Sequence, residues 1–305
     1  MIRQALFYLM ICSLLTTGCT LSGNHDDKLN VVTTTSMITD LLREIGSDAI
    51  NLNGLMGPGV DPHLYKAGEG DVNLLFNADM VIYNGLHLEG KMQEIFENMS
   101  QRKIRVIALS DTIPRDSLIA SANFASSYDP HIWFDISNWK LAAAYVAHKL
   151  ASVDTVNSNF YLKNMRAYLN RLDSTEAALK AKISELPPEK RILITAHDAF
   201  NYFGRAYGFE VIGLQGISTA TEAGVRDVQN LSDLIIRKKV KSIFIESSVP
   251  LRNIEALKEA VNSRGYNVTI GGSLFSDALG NPGTPEGKYS GMIMHNVNTI
   301  VEALK

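Results

Sequence analysis

Residues 157–188 read NSNFYLKNMRAYLNRLDSTEAALKAKISELPP, and the fold turns on how this stretch is read. From Asn157 to Leu186 it holds no Gly, no Pro and no strand-like alternation. Phe160, Met165, Leu169, Leu172, Leu179, Ile183 and Leu186 recur at near-helical spacing, which predicts one continuous amphipathic helix. Pro187-Pro188 stop it, because proline lacks the donor that a helix interior needs. A helix of about 30 residues is about 45 Å long. That is long for a globular protein and sufficient to run the height of a two-lobed one.

Both flanks of this stretch alternate short apolar runs with helical patterns. Upstream, strands are expected at Asn30–Thr33, Ile50–Met56, Met80–Tyr83 and Ile104–Leu109. Helices are expected over Met37–Ile45, from an Asp71 cap through Phe76, near Lys91–Met99 and from Ile136 to Leu150. Downstream, strands are expected at Ile192–Thr195, Phe209–Leu214, Ile243–Glu246 and Val268–Ile270. The downstream helices are Val225–Arg237, Ile254–Val261 and Met292–Leu304. Strands separated by helices imply parallel sheets with right-handed crossovers. The expected fold is α/β: two lobes of parallel sheet with flanking helices, residues 29–152 and 189–305, joined by a long helix within 153–188.

The first residues belong to another layer of organisation. Arg3 precedes an apolar run from Ala5 to Leu15, far short of the roughly 20 residues that span a bilayer. A basic start and a short apolar region are the marks of an export signal, here residues 1–18. Cys19 follows the small Gly18, as in a bacterial lipoprotein signal in which that cysteine is acylated, although Thr16 stands where leucine is usual. Residues 19–28 then form a polar, lipid-anchored tether. Cys12 and Cys19 are the only cysteines. Cleavage before Cys19 would leave no free thiol and no disulfide, so stability must come from the core. The chain has 305 residues, 46% of them hydrophobic, and a net charge of −3. That balance offers no basic footprint for nucleic acid.

Asp129-Pro130-His131 echoes Asp61-Pro62-His63. His63, His131 and His197 each fall in a loop after an expected strand, and Asp277 follows the last strand in the same sense. Ligands of open α/β sheets bind outside the carboxyl ends of the strands. Three neutral imidazoles and one carboxylate suit a divalent first-row metal. With two residues from each lobe, the site would occupy the cleft between them. Asp61 and Asp129 either accept hydrogen bonds from ring nitrogens or form turns. His87 lies in a loop whose role is open, His25 falls in the tether, and His148 and His295 lie on helices. Each ligand imidazole must be neutral, so occupancy is expected to fall below about pH 6.

His-Glu-x-x-His, Walker and Gly-x-Ser-x-Gly signatures are missing. Four protein ligands leave little room for a reactive water, which favours holding a metal over hydrolysis. The competing classes are a metal-dependent hydrolase using the same four residues and a surface adhesin with a structural metal.

Several segments together resemble the TroA-like solute-binding lipoproteins of bacterial ABC transporters for manganese, zinc and sometimes iron. They are GVDPHLYKAGEGDV (59–72), NGLHLEGKM (84–92), DPHIWFD (129–135), TAHDAFNYFGRAYGF (195–209), GISTATEAGVRDVQNL (216–231) and GTPEGKYSGMIMHNV (283–297). The resemblance covers essentially the whole mature chain. It implies two lobes on a rigid backbone helix with the metal between them. The family's ligands fall on His63, His131, His197 and Asp277. The implied protein is a non-enzymatic, exported monomer, lipid-anchored outside the cytoplasmic membrane or in the periplasm. It would deliver its cargo to a membrane permease. No histidine interrupts Pro114–Asp129, unlike the His-rich loop of many zinc-dedicated members, and Thr221–Asp227 resembles manganese-type members. Three imidazoles would nonetheless hold zinc more tightly by the Irving–Williams order. Manganese is the first expectation for cargo, zinc a close second and iron third.

Overall fold

The computed structural model describes residues 28–102, 104–121 and 124–305. The expected signal peptide, the expected acylation site Cys19 and all of the tether but Lys28 lie outside the described residues. The fold is α/β, with parallel sheets and flanking helices.

The first lobe is built on β1 (Leu29–Thr33), β2 (Ile50–Gly54), β3 (Met80–Tyr83) and β4 (Arg105–Ala108), all parallel, in the order β2-β1-β3-β4. Helices α1 (Ser36–Gly46), α2 (Glu69–Phe76) and α3 (Gln93–Gln101) connect them, and α4 (Ile136–Val153) follows. Side chains alternate across a strand, so each strand feeds two cores. Val31, Met80 and Ile82 enter one, and Val32 and Val81 enter the other with Met92 and Phe96. Burial on both faces explains why these strands read as unbroken apolar runs.

The second lobe holds β5 (Ile192–His197), β6 (Glu210–Gln215), β7 (Ser242–Glu246) and β8 (Thr269–Leu274). β5 pairs with β6 and β7 with β8, both in parallel, and β5 lies beside β7. The spatial order β6-β5-β7-β8 repeats that of the first lobe. Its helices are α6 (Asn201–Tyr207), α7 (Val225–Lys238), α8 (Arg252–Asn262) and α9 (Tyr289–Leu304).

Helix α5 (Ser158–Ile183) runs between the lobes. Its 26 residues span about 39 Å. Tyr161, Met165, Tyr168, Leu172, Leu179 and Ile183 form its buried stripe. Phe160, expected in that stripe, is 40% exposed, and the neighbouring tyrosines take the inner positions. A tyrosine can be buried there because its hydroxyl finds a partner. The Tyr161 hydroxyl donates to Asp154 Oδ2 at 2.6 Å, and the Tyr168 hydroxyl accepts from Trp139 Nε1 at 2.9 Å. Trp139 also stacks on Tyr289 at 5.0 Å, which ties α4, α5 and α9 together. The same continuous core includes Leu193, Phe244 and Leu274 from the second lobe. The apolar core is therefore continuous across the lobe boundary.

Three local expectations are revised. Asp71 does not precede α2. It sits at the third helical position, and its Oδ2 accepts the Gly68 N–H at 2.8 Å. His197 is not in a loop but is the last residue of β5. β8 runs on through Gly271-Gly272 to Leu274, past the expected strand end at Ile270.

Candidate metal centre

Four side chains converge between the lobes. One ligand atom from each of His63, His131, His197 and Asp277 lies within 4.8 Å of the other three. All four residues are buried, His63 the least at 4% exposed.

His63 stands in the turn that follows β2. Asp61 builds that turn, since its Oδ1 accepts the His63 backbone N–H at 2.8 Å. Its Oδ2 accepts from the Thr219 hydroxyl at 2.6 Å, a bond that crosses to the second lobe. Asp129 does more for His131. Its Oδ1 accepts both the backbone N–H at 2.9 Å and ring Nδ1 at 2.7 Å. Its Oδ2 accepts from Asn201 Nδ2 at 3.1 Å. The two Asp-Pro-His repeats thus differ: Asp61 makes a turn, and Asp129 makes a turn and also orients the ring.

His197 is held from the neighbouring strand. Glu246, at the end of β7, accepts the His197 backbone N–H with Oε1 at 2.8 Å and Nδ1 with Oε2 at 2.6 Å. Sequence reasoning missed Glu246. The available signal was a carboxylate ending the apolar strand Ile243-Phe244-Ile245. β6 passes close behind His197, and only a glycine fits there. A Cβ on Gly213 would meet the His197 carbonyl carbon at 2.5 Å and Asp198 N at 2.4 Å.

Asp277 follows β8, as expected, but its loop is gripped by the first lobe. Trp133 Nε1 donates to Ser276 O at 3.0 Å, and Leu279 N donates to Ser36 Oγ at 2.8 Å. Where the loop enters α9, Tyr289 N donates to Asp40 Oδ2 at 2.9 Å, and the Tyr289 hydroxyl donates to Trp133 O at 2.6 Å. Two of the four residues come from each lobe along the chain, and the loop that bears Asp277 is also hydrogen-bonded to first-lobe side chains.

The protonation pattern follows from these bonds. With Nδ1 of His131 and His197 donating to carboxylates, each Nε2 is the ring atom turned to the centre, and it offers a lone pair there once its ring is neutral. His131 Nε2 lies 3.4 Å from His63 Nε2 and 3.5 Å from Asp277 Oδ1. His197 Nε2 lies 3.3 Å from Asp277 Oδ2. Among the described residues, His197 Nε2 and both Asp277 oxygens are buried without a hydrogen-bond partner. These atoms facing one another in a dry pocket are costly unless positive charge sits among them, a proton on His197 or a metal ion, and three imidazoles with one carboxylate fit a divalent metal. Burial pulls His63 down to about 3, keeping it neutral. Burial also opposes charge on His197, but Glu246 and Asp277 outweigh it and raise His197 well above its ordinary value. Burial alone would raise Asp277; the nearby His197 reverses this and holds it far below the usual carboxylate range.

The other histidines stay out of this group. His87 ends a run of three left-handed residues, Gly85, Leu86 and His87 (φ 86°, 50° and 63°). It lies at the rim, its ring 6.2 Å from Phe124, which meets His63 edge-on at 6.3 Å. His148 is exposed on α4. His295 Nε2 pairs with Ser273 O at 3.1 Å. His25 lies outside the described residues.

Comparison with known proteins is consistent with this picture. The family described as "ZnuA: Zinc-uptake complex component A periplasmic" matches residues 31–303. The zinc-binding protein TroA of Treponema pallidum (strain Nichols) is 49% identical over 279 residues, covering 92% of this chain and 90% of that protein. The manganese-binding lipoprotein MntA of Bacillus subtilis (strain 168) is 43% identical over 292 residues, 95% of each. The solved structure of the periplasmic zinc-binding protein TroA from Treponema pallidum superposes with a TM-score of 0.88 at 49% identity. That match covers 91% of this chain and 99% of the other.

Proposed function

We infer that this chain, which belongs to the ZnuA family of periplasmic zinc-uptake components, captures a divalent transition metal between its lobes and delivers it to a membrane permease. His63, His131, His197 and Asp277 are the proposed ligands. The observation that carries this reading is the set of buried, mutually facing acceptors at the centre, which includes both unpartnered oxygens of Asp277.

Manganese or zinc is the proposed cargo, with iron third. Three imidazole nitrogens favour zinc by intrinsic affinity. Asp277 turns Oδ1 toward His131 and Oδ2 toward His197. Attachment through both oxygens would raise the coordination number above four and favour manganese. The relatives carry both metals in their names, zinc in one and manganese in the other.

We read the protein as non-enzymatic, because its family consists of solute-binding proteins and its donors enclose the metal position from several sides. The exported location, the acyl anchor on Cys19 and a monomeric state complete the proposal. Relatives named as lipoproteins support the anchor.

Elemental analysis of protein purified without added metal, followed by competition between manganese and zinc, tests this reading. About one equivalent of transition metal is expected. A metal present at a hundredfold its dissociation constant adds about 2.7 kcal/mol of stability. Less than about half an equivalent, with no thermal shift from either metal, overturns the reading.

A further inference from the structure

A second hollow lies beside the buried centre and differs from it in chemistry. Its volume is about 510 Å³. Ser121 and Phe124 wall it from the first lobe, and Asp198, Gln215, Glu222 and Asp227 from the second. Among the described residues, no Lys, Arg or His lines it. Three carboxylates therefore face the space with no cation among the lining side chains. Arg252 pairs with Glu222 from outside it, and Asp227 Oδ2 accepts the Gly224 N–H at 2.8 Å.

Two acceptors in its wall have no partner among the described residues. Gln215 is only 5% exposed; its Nε2 donates to Thr221 O at 3.3 Å, and its Oε1 is left without a donor. Asp198 Oδ1 is buried and unpartnered as well. Buried oxygen acceptors left unpaired cost free energy unless water or a cation meets them. Asp198 is also the residue next to His197 in the chain. Phe124 and Ser218 line both this hollow and a smaller one of about 130 Å³ that reaches His63 and His87. The two spaces therefore share a wall at Phe124 and Ser218, beside His63.

We propose that this hollow is a second cation site, an oxygen-donor station for a hydrated divalent metal next to the buried nitrogen-rich centre. The proposal rests on the metal-capture reading above. Hard oxygen ligands suit an ion that still carries its water, whereas the three imidazoles suit one that has shed it. Six water molecules occupy about 180 Å³ of liquid volume at about 30 Å³ each, so a fully hydrated ion fits with room to spare. The station concentrates cations at the mouth of the centre, as negatively lined clefts do for charged ligands.

The test counts free manganese by electron paramagnetic resonance during titration of the metal-free full chain. Wild type is expected to take one tight equivalent of Mn²⁺ and one weak, salt-sensitive equivalent. His131→Ala should lose the tight equivalent and keep the weak one. In that background, Asp198→Asn should weaken the remaining equivalent at least tenfold. Glu222→Gln, at the exposed rim, should weaken it about threefold without affecting folding. A weak equivalent missing from His131→Ala, or unchanged by both carboxylate substitutions, overturns the proposal. Failure of wild type to take the tight equivalent would instead sink the metal-capture reading, whatever becomes of the weak one.

Discussion

The two lobes share one strand order but use its central crevice differently. In an α/β sheet the crevice opens where the chain leaves neighbouring strands in opposite directions. That point is β1/β3 in the first lobe and β5/β7 in the second. In the second lobe the strand ends themselves carry the site: His197 closes β5 and Glu246 closes β7. In the first lobe the same point holds a scaffold. Buried Glu89 accepts from the Thr34 hydroxyl at 2.7 Å and from Asn84 N at 2.8 Å, and Asn84 Nδ2 donates to Pro130 O at 2.9 Å. The long loop bearing His131 is laid on that scaffold. One lobe offers a strand-end histidine; the other offers loop histidines and, through Trp133 and Ser36, the grip on Asp277.

Removing a proposed ligand should have the largest effect and tests whether both lobes contribute. His131→Ala and Asp277→Ala should each abolish most of the metal-induced thermal shift. Retention of the full shift in both would break the comparison at its base.

Replacing the two ring-holding carboxylates comes next. Asp129→Asn and Glu246→Gln keep the shape and remove the charge that orients each imidazole. Each should weaken metal binding about 10–100-fold, the usual cost of losing such a partner. Calorimetric titration measures this, and an unchanged affinity would show that packing alone orients the rings.

The second lobe also sets the pH dependence. His197 is raised well above 6.5, so at pH 7 the metal-free protein carries a proton there. Without metal, this imidazole stabilises the fold fully below its unfolded value of about 6.5, and the contribution is lost as pH rises through the folded value. Metal binding runs the other way, because the metal must expel that proton. Uptake near pH 7 should release about one proton per metal, read with an indicator dye in weak buffer. Affinity should rise about tenfold per pH unit until the folded value is passed. Sequence reasoning placed the loss of occupancy below about pH 6, from ordinary imidazoles; the Glu246 and Asp277 carboxylates move the onset upward. Metal uptake with no proton release between pH 6 and 8 would contradict this.

The smallest expected effects concern the grip on Asp277. Ser36→Ala and Trp133→Phe each remove one hydrogen bond to its loop, worth about 1 kcal/mol. Metal affinity should fall about fivefold in each, with His197 protonation unchanged. An equal loss from His87→Ala, at the rim, would show that the grip has no special role.

Much of this was legible in the sequence, for identifiable reasons. Apolar runs such as Val31-Val32 and Met80-Val81-Ile82 can be read because parallel strands buried on both faces must be apolar throughout. The long helix showed itself through uninterrupted spacing and the Pro187-Pro188 stop. His63, His131, His197 and Asp277 stood out through strand-end position and the Asp-Pro-His echo. What stayed hidden depends on contacts between distant segments. Glu246 reads as an ordinary strand-end acid until β5 and β7 come side by side. Ser36, 243 residues from its partner Leu279, bears no local mark of its role. Tyr161 and Tyr168 could not be told from Phe160 by spacing, because the choice depends on which hydroxyl finds a buried partner.

X-ray absorption spectroscopy at the metal edge, on protein loaded with one equivalent of zinc or manganese, tests the central claim most directly. Three imidazole nitrogens at about 2.0–2.2 Å with carboxylate oxygen are expected, falling to two imidazoles in His197→Ala. A wild-type shell with fewer than three imidazoles, or one that His197→Ala leaves unchanged, would contradict the account.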